Sequence, residues 1–478
     1  MQLFQIIRKD VANKVGGEVV SRLFFLVFFF YVARKFQTAD FGALNVAISS
    51  TYILGVIFLD PGLNLSTIQL LVERKDESKS IASAIFSFKC LMFVPMLIAL
   101  YAISRAFAGR LPSFSVLLFA AMYTLFTALL EYLCSVTNAF HRMDLEAALK
   151  VANRLSIVVF GALALRIGGT ASVLCAMGVA TLLACIVALV VLRRQLVSIN
   201  FGWDRAIIVQ ALKAGLPIAG TVIVGTIYLK WDLLVLSYFN VGKEQIGWYA
   251  GAFKIVEAFS ALPSILGAAL FPLILRLRIT NPDALDRLLG SSTKAILLFA
   301  IPVAATISLF SRPIISAVYG KSYLPGARVL SILIWCIVPI FMYFYLMFVN
   351  IASGHAKHNL LAGCVALVAG LLANAVLVPR VGYLGAAWSA LIANTSFALL
   401  SFWKVCSVFQ NASLPSMLLR SMVAGAFMVV TFFFLPVSAS FQLVLGLVAY
   451  LVVLVVLGSL RGADISLAFR LFQPSAND

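Results

Sequence analysis

Apolar stretches about as long as a bilayer is thick follow one another along this chain, and they decide most of what it can fold into. Fourteen can be marked, at about 15–35, 43–63, 81–104, 114–137, 150–166, 171–192, 213–236, 247–275, 293–316, 326–352, 360–378, 383–404, 415–435 and 440–459. A membrane-crossing helix needs roughly 20 apolar residues. The fifth and eleventh stretches are short, so the count lies between twelve and fourteen. The longest connections, about 193–212 and 277–292, are too small to fold alone. Hydrophobic residues make up 63% of the 478-residue chain and charged residues 11%. That is more apolar surface than one core can bury, so a soluble globular protein is excluded. Disordered, fibrous and disulfide-scaffold chains are excluded too. The expected fold class is an all-α polytopic membrane protein with about 14 transmembrane helices.

Charge sets the expected orientation. The formal net charge of +18 would suggest nucleic acid in a soluble protein. In a membrane protein it fits cytoplasmic loops facing anionic lipid, and no nucleic-acid partner is expected. With the N-terminus inside, alternate connections hold about 21 Lys and Arg against about 10 on the other side. The inside set includes Arg8, Lys9, Lys14, Arg74, Lys75, Lys79, Arg193, Arg194, Arg205, Lys213, Arg276, Arg278, Arg287 and Lys294. Both termini are therefore expected in the cytoplasm, as an even number of spans requires. The first stretch ends in Ala33-Arg34-Lys35, with no small-residue cleavage site, and reads as a retained helix. The seven cysteines lie in or beside apolar stretches, with no Cys-x-x-Cys spacing, and read as small buried hydrophobes.

The chain echoes itself at an offset of about 203–214 residues. Phe41-Gly42-Ala43-Leu44 matches Ile246-Gly247-Trp248-Tyr249, and Gly17 falls opposite Gly220. Asn138-Ala-Phe-His-Arg matches Asn350-Ile-Ala-Ser-Gly-His, and Arg166-Ile-Gly-Gly matches Arg380-Val-Gly-Tyr. The order of these matches predicts two pseudo-symmetric six-helix lobes, 1–200 and 205–405. Two extra transmembrane helices follow at 413–460, then a short cytoplasmic tail at 461–478. Two equal helical lobes without soluble domains describe a carrier, which binds substrate between its lobes and rocks. The first helix of each lobe carries helix-weakening residues: Gly16-Gly17 in one, Gly215, Pro217, Gly220 and Gly225 in the other. These point either to a substrate site or to close helix packing.

An ionisable group deep in the bilayer costs roughly 2.5–3.5 kcal/mol or more, so it is kept where it meets water, a partner or a substrate. The candidates are Glu18, Arg22, Lys89, Glu131, Arg154, Lys230, Asp232, Lys254 and Glu257. Arg22, Lys89, Arg154, Lys230 and Lys254 are the candidate cavity cations, since Arg and Lys suit phosphate and carboxylate. Glu131, Glu257, Asp232 and Glu18 are the candidate ion-coupling carboxylates. Lys254 and Glu257, at i and i+3, can pair. Lys230 and Asp232, at i and i+2, point apart. Glu257 has Lys254 one turn away, whereas Glu131 has no cation at i±3 or i±4, which favours Glu131 as a switch. The competing reading is that these charges are structural ion pairs. Asp60, before Pro61-Gly62, reads as a turn or cap residue.

No G-x-x-x-x-G-K-[ST] loop, G-x-S-x-G elbow or H-E-x-x-H motif is present. His355 and His358 lack a nearby carboxylate, so no metal site is expected there. No catalytic activity, cofactor or metal is expected.

Several segments resemble the polysaccharide-export, Wzx-type family of the multidrug/oligosaccharidyl-lipid/polysaccharide flippase superfamily. They are Val32-Ala33-Arg34-Lys35-Phe36 with Phe41-Gly42, and Phe58-Leu59-Asp60-Pro61-Gly62-Leu63. In the second half they are Tyr319-Gly320-Lys321 with Tyr323, Ala327-Arg328-Val329-Leu330, Ala352-Ser353-Gly354, Asn374 and Pro379 to Ala387. The likeness covers about 1–405. It implies a V-shaped, MATE-like fold with a central cavity in the bacterial inner membrane. It also implies a flippase that moves undecaprenyl-pyrophosphate-linked oligosaccharide units to the outer leaflet for O-antigen or exopolysaccharide assembly. Basic cavity residues would meet the anionic head group, and a polysaccharide polymerase and chain-length regulator would be partners. The ninth to eleventh helices depart from an evenly charged cavity: Tyr343, Tyr345 and Asn374 supply their polarity. The alternatives are a cation-coupled multidrug exporter of the same superfamily and a non-transporting membrane partner of a polysaccharide synthase.

Overall fold

The computed structural model describes residues 2–409, 413–434 and 439–457. Among these the architecture is helical throughout. The helices are α1 (Gln2–Lys35), α2 (Thr38–Phe58), α3 (Leu63–Glu73), α4 (Ser78–Ala106), α5 (Phe114–Ala139), α6 (Met143–Ile167), α7 (Thr170–Gln195), α8 (Arg205–Tyr238) and α9 (Lys243–Phe259). They continue with α10 (Ala261–Thr280), α11 (Pro282–Leu309), α12 (Ser311–Tyr319), α13 (Gly326–Leu333), α14 (Ile337–Ala352), α15 (Ala356–Val381), α16 (Tyr383–Phe409), α17 (Ser413–Phe434) and α18 (Ala439–Val456). Eleven helical segments are long and apolar enough to cross a membrane. The α9–α10 pair and the two apolar C-terminal helices complete a set compatible with about fourteen spans. The tail expected at 461–478 lies outside the described residues.

The sequence explains where the expected spans change shape. The short fifth stretch becomes the 25-residue α6, because polar Met143–Lys150 adds two turns at its start. The second stretch divides into α2 and α3 at Asp60-Pro61-Gly62. Proline disfavours a helical conformation before it, and Gly62 adopts a left-handed φ of 76°. Asp60 then accepts hydrogen bonds from the Asn64 backbone N–H (3.0 Å) and side-chain amide (2.7 Å), holding the first turn of α3. Gly168 and Gly169, both at positive φ, separate α6 from α7. The expected glycine weak points do not break their helices: α1 runs unbroken through Gly16-Gly17, and α8 through 215–225.

The residues form two compact units. The first holds Met1–Ala258, Ile315–Val329 and Leu367–Ser389, and the second Phe259–Ile314, Leu330–Ala366 and Ala390–Asp478. In the first, α1 packs on α6, α5 on α7, and α2 on both α5 and α8. In the second, α10 and α11 pack on α14, and α17 on α11 and α18. Large apolar side chains such as Val27, Ile98, Leu163 and Ile167 are exposed. In a membrane protein lipid covers such side chains.

Glycines allow helices of the first unit to touch at backbone distance. A Cβ on Gly17 would lie 2.6 Å from Ala147 Cβ, where α1 meets α6. A Cβ on Gly62 would lie 2.5 Å from the carbonyl oxygen of Gly215. Gly42 and Gly247, matched in the internal echo, face each other: a Cβ on Gly42 would lie 2.9 Å from Gly247 N. A Cβ on Gly247 would collide with the Thr38 carbonyl oxygen. Backbone cannot yield as a flexible side chain can. Gly247→Ala is therefore expected to destabilise the protein by about 1–3 kcal/mol, read as a lower melting temperature in detergent. Gly16→Ala, with nothing within 4 Å of the added carbon, is the neutral control.

Candidate functional site

The candidate charges read from the sequence fall, among the described residues of the first unit, into four groups, each joining residues of different helices. One centres on α6, α8 and α9. Lys230 donates to Glu257 Oε1 at 2.6 Å, and Lys254 to Glu257 Oε2 at 2.8 Å. Lys254 Nζ also lies 4.4 Å from the centre of the Phe29 ring and 6.0 Å from that of Phe25. Arg154 stands over Phe25 of this aromatic pair, 4.2 Å from the ring centre, with Nη1 3.4 Å from the Tyr123 hydroxyl. Among the described residues, no carboxylate lies within ion-pair distance of Arg154. Two lysines thus share one carboxylate, and Arg154 stands beside them without an ion pair among the described residues, so three cations gather at one carboxylate. Arginine on an aromatic face gains a cation–π contact and keeps its planar fork of donors available.

A second group links α1, α5 and α6. Arg22 Nε donates to Glu18 Oε1 at 2.8 Å. Lys150 Nζ reaches Glu146 at 2.9 Å, Glu131 at 3.4 Å and Glu18 at 3.5 Å. Among the described residues Lys150 is thus shared by three carboxylates, one of which, Glu18, also takes Arg22. Glu131 does have a cationic neighbour, Lys150, nineteen positions along the chain and on another helix.

The third group is closed. Lys89 is fully buried, at 0% exposure. Its ammonium donates to Asn64 Oδ1 at 2.9 Å, lies 3.5 Å from Asp60, and sits 5.4 Å from the Tyr132 ring centre. In this conformation it holds the α2–α3 turn and presents no charge to a ligand. Asp60 therefore serves the turn, as expected, and also neutralises Lys89.

The fourth group contains one charge. Asp232 accepts from the Tyr249 hydroxyl at 2.8 Å and from the Asn374 amide at 3.1 Å. Among the described residues no cation pairs with it. Lys230 and Asp232 do point to different partners, as their spacing requires. Tyr343 and Tyr345 are buried rather than displayed: Tyr343 stacks on Phe397 at 4.4 Å, and Tyr345 is fully enclosed.

Sequence reasoning missed Lys150, Tyr123, Tyr249 and the Phe25–Phe29 pair. A signal for Lys150 was present: Glu146, Lys150 and Arg154 are at i, i+4 and i+8 and share one helix face.

Solved structures of similar architecture include membrane transporters. The solved structure of the lipid II flippase MurJ, in an inward closed conformation, superposes with a TM-score of 0.73 at 17% identity. It covers 93% of this chain and 97% of that one. An inward-facing multidrug resistance MATE family transporter of the MOP superfamily superposes with a TM-score of 0.64 at 16% identity, covering 82% and 96%. The fold is thus the MATE-like fold expected from sequence. A family model described as polysaccharide biosynthesis protein matches residues 7–278, and the chain belongs to that family. An uncharacterized membrane protein of Methanocaldococcus jannaschii is 22% identical over 379 residues, 75% of this chain and 73% of its own length. A Shigella flexneri protein named as an O-antigen transporter is 25% identical over 196 residues, 40% of this chain and 46% of that protein.

The closed group yields a stability test. Removing one partner of a buried ion pair leaves an uncompensated charge. Asp60→Asn strands a fully buried ammonium and is expected to cost roughly 3 kcal/mol. Lys89→Met leaves a partly exposed carboxylate still bonded to Asn64 and should cost less. In the double variant neither charge remains, and its melting temperature should exceed that of Asp60→Asn.

Proposed function

We propose that this protein is a flippase for undecaprenyl-pyrophosphate-linked oligosaccharide repeat units, supplying O-antigen or exopolysaccharide assembly. The substrate would pass from the cytoplasmic to the periplasmic leaflet of the bacterial inner membrane. The supporting observation is the group of Arg154, Lys230 and Lys254 around one carboxylate. A cation surplus inside the span region suits a diphosphate, and Arg154 supplies a planar fork for it. A cation-coupled multidrug exporter, the alternative, would call for an apolar pocket with one or two critical carboxylates and fewer Arg and Lys side chains there. Movement would be by alternating access of two six-helix lobes, 1–200 and 205–405, with 413–460 as accessory helices. Arg22 lies nearer the cytoplasmic end in this topology, and with its exposed guanidinium it would meet the head group first. Lys89 would act indirectly, by holding the α2–α3 turn. A polymerase and a chain-length regulator would receive the product.

With no nucleotide-binding loop, net export needs an ion gradient or removal of product. The carboxylates differ in what protonation would break. Glu257 is held by two lysines, and Glu18 and Glu131 share Lys150. Asp232 is bonded only to neutral groups, so taking up a proton or Na⁺ there disrupts no ion pair. That makes Asp232 the favoured coupling residue, ahead of Glu131.

Deleting the gene should leave the lipid-linked intermediate on the cytoplasmic face. Arg154→Ala should abolish surface polysaccharide at normal protein level, while Arg154→Lys retains part of it. An active Arg154→Ala variant would refute the head-group role. Asp232→Asn should remove gradient dependence from transport in reconstituted vesicles. Reporters fused at Gly320 and at the C-terminus should fall on opposite sides of the membrane; the same side would refute the topology.

A further inference from the structure

Lys150 and Arg154 occupy successive turns of one face of α6, with side-chain origins about 5–6 Å apart. Their surroundings are opposite. Arg154 rests on Phe25 and Tyr123 and meets no carboxylate among the described residues. Lys150 meets three: Glu146 from its own helix, Glu18 from α1 and Glu131 from α5. Glu18 is shared with Arg22. Two of the three carboxylates are well exposed, Glu131 at 44% and Glu18 at 35%, whereas Glu146 is at 5%. Lys150 itself is 19% exposed. The network is therefore open on the side of Glu18 and Glu131 and closed on the side of Glu146.

We infer that Lys150 is the residue that distinguishes a diphosphate head group from a monophosphate. The inference rests on the anionic head group of the proposed function and goes one step beyond it. Arg154 alone suffices to hold one phosphate. A second phosphate, one bridging oxygen away, is placed to exchange with Glu131 and Glu18 for the Lys150 ammonium. The longer contacts, 3.4 and 3.5 Å, are the ones that yield, and the 2.9 Å pair with buried Glu146 keeps the lysine in place. A monophosphate held on Arg154 has no group to offer in that exchange. The carboxylates thereby set a threshold: only a ligand with a second anionic centre displaces them. Removing one loosely held carboxylate lowers the threshold, and removing the lysine abolishes the distinction.

The test uses the purified full chain in nanodiscs, with farnesyl diphosphate and farnesyl monophosphate as probes of equal tail. The wild-type protein should prefer the diphosphate by roughly tenfold, the worth of one charge-assisted hydrogen bond. Lys150→Gln should bring the ratio close to one. Glu131→Gln, at the exposed edge of the network, should raise the ratio. Lys150→Gln leaves Glu146 buried without its lysine, so the double variant Lys150→Gln with Glu146→Gln removes that pair together and should show the same loss of preference. An unchanged ratio in both lysine variants, while Arg154→Ala still weakens both probes, would overturn the role of Lys150 and leave the Arg154 site standing. If Arg154→Ala changed neither affinity, or neither probe bound, the anion site itself and this inference with it would be refuted.

Discussion

Compensation of charge within the spanning helices is the constraint on which the rest of the first unit depends. An ionised group held in hydrocarbon without partners is costly, and this chain keeps cations and carboxylates on α1, α2, α4, α5, α6, α8 and α9. The solution is not a uniform set of one-to-one pairs. Lys89 and Asp60 balance, and Lys89 is sealed away. Glu257 is over-matched by two lysines, with Arg154 close by. Lys150 is over-matched by three carboxylates. Among the described residues cations therefore gather around Glu257 and carboxylates around Lys150, and Arg154 and Lys150 lie along one face of α6. Balanced, enclosed pairs serve structure. Unbalanced, accessible groups remain able to respond to a ligand.

Close helix contact makes such groups possible. Lys150 reaches carboxylates on α1 and α5 because these helices pack against α6, with Gly17 letting α1 approach Ala147. Elsewhere in the unit, Gly62 and Gly215 bring the α2–α3 turn against α8, and Lys89 braces that same turn through Asp60 and Asn64. Small residues and buried charge here act together. The glycine permits the approach, and the ion pair fixes the turn that makes it. The result explains why the glycines of α1 and α8 do not break their helices. At positions 17 and 215, missing side chains are used for packing, as is usual where membrane helices cross closely.

The membrane fold was legible because hydropathy is a local property: an uninterrupted run of apolar residues must be buried or lipid-facing whatever its neighbours do. Lys254–Glu257 was legible for the same reason, since both partners lie on one turn of one helix. The Glu131 environment was not. Its cation arrives from a different helix, and nothing within four residues announces it. Asp232 likewise finds Asn374, 142 positions away, through tertiary packing alone. The tyrosines of α14 show the limit of composition. Tyr343 and Tyr345 read as polarity for a cavity, yet an aromatic ring buries as readily as it binds, and both pack inward. Lys150 was partly legible, through its i±4 spacing to Glu146 and Arg154. It was overlooked because it stood at the edge of an apolar stretch rather than within one.

The contrasting surroundings of Arg154 and Lys150 on α6 also set what kind of anion the unit can accept. Around Arg154, three cations gathered at one carboxylate favour any anion, and the aromatic faces of Phe25 and Phe29 keep water from screening that attraction fully. One turn away, the three carboxylates around Lys150 repel the same anion. The two fields oppose each other over a distance well inside the Debye length at physiological salt, about 8 Å, so neither is screened away by ions. A small single anion gains at one site and loses at the next. An extended anion can place one centre on Arg154 and use the other to redistribute the network, exchanging carboxylate contacts for its own. Selectivity here comes from competition for a lysine that is already satisfied, and the three carboxylates that look like simple structural partners are what give the site its ability to discriminate.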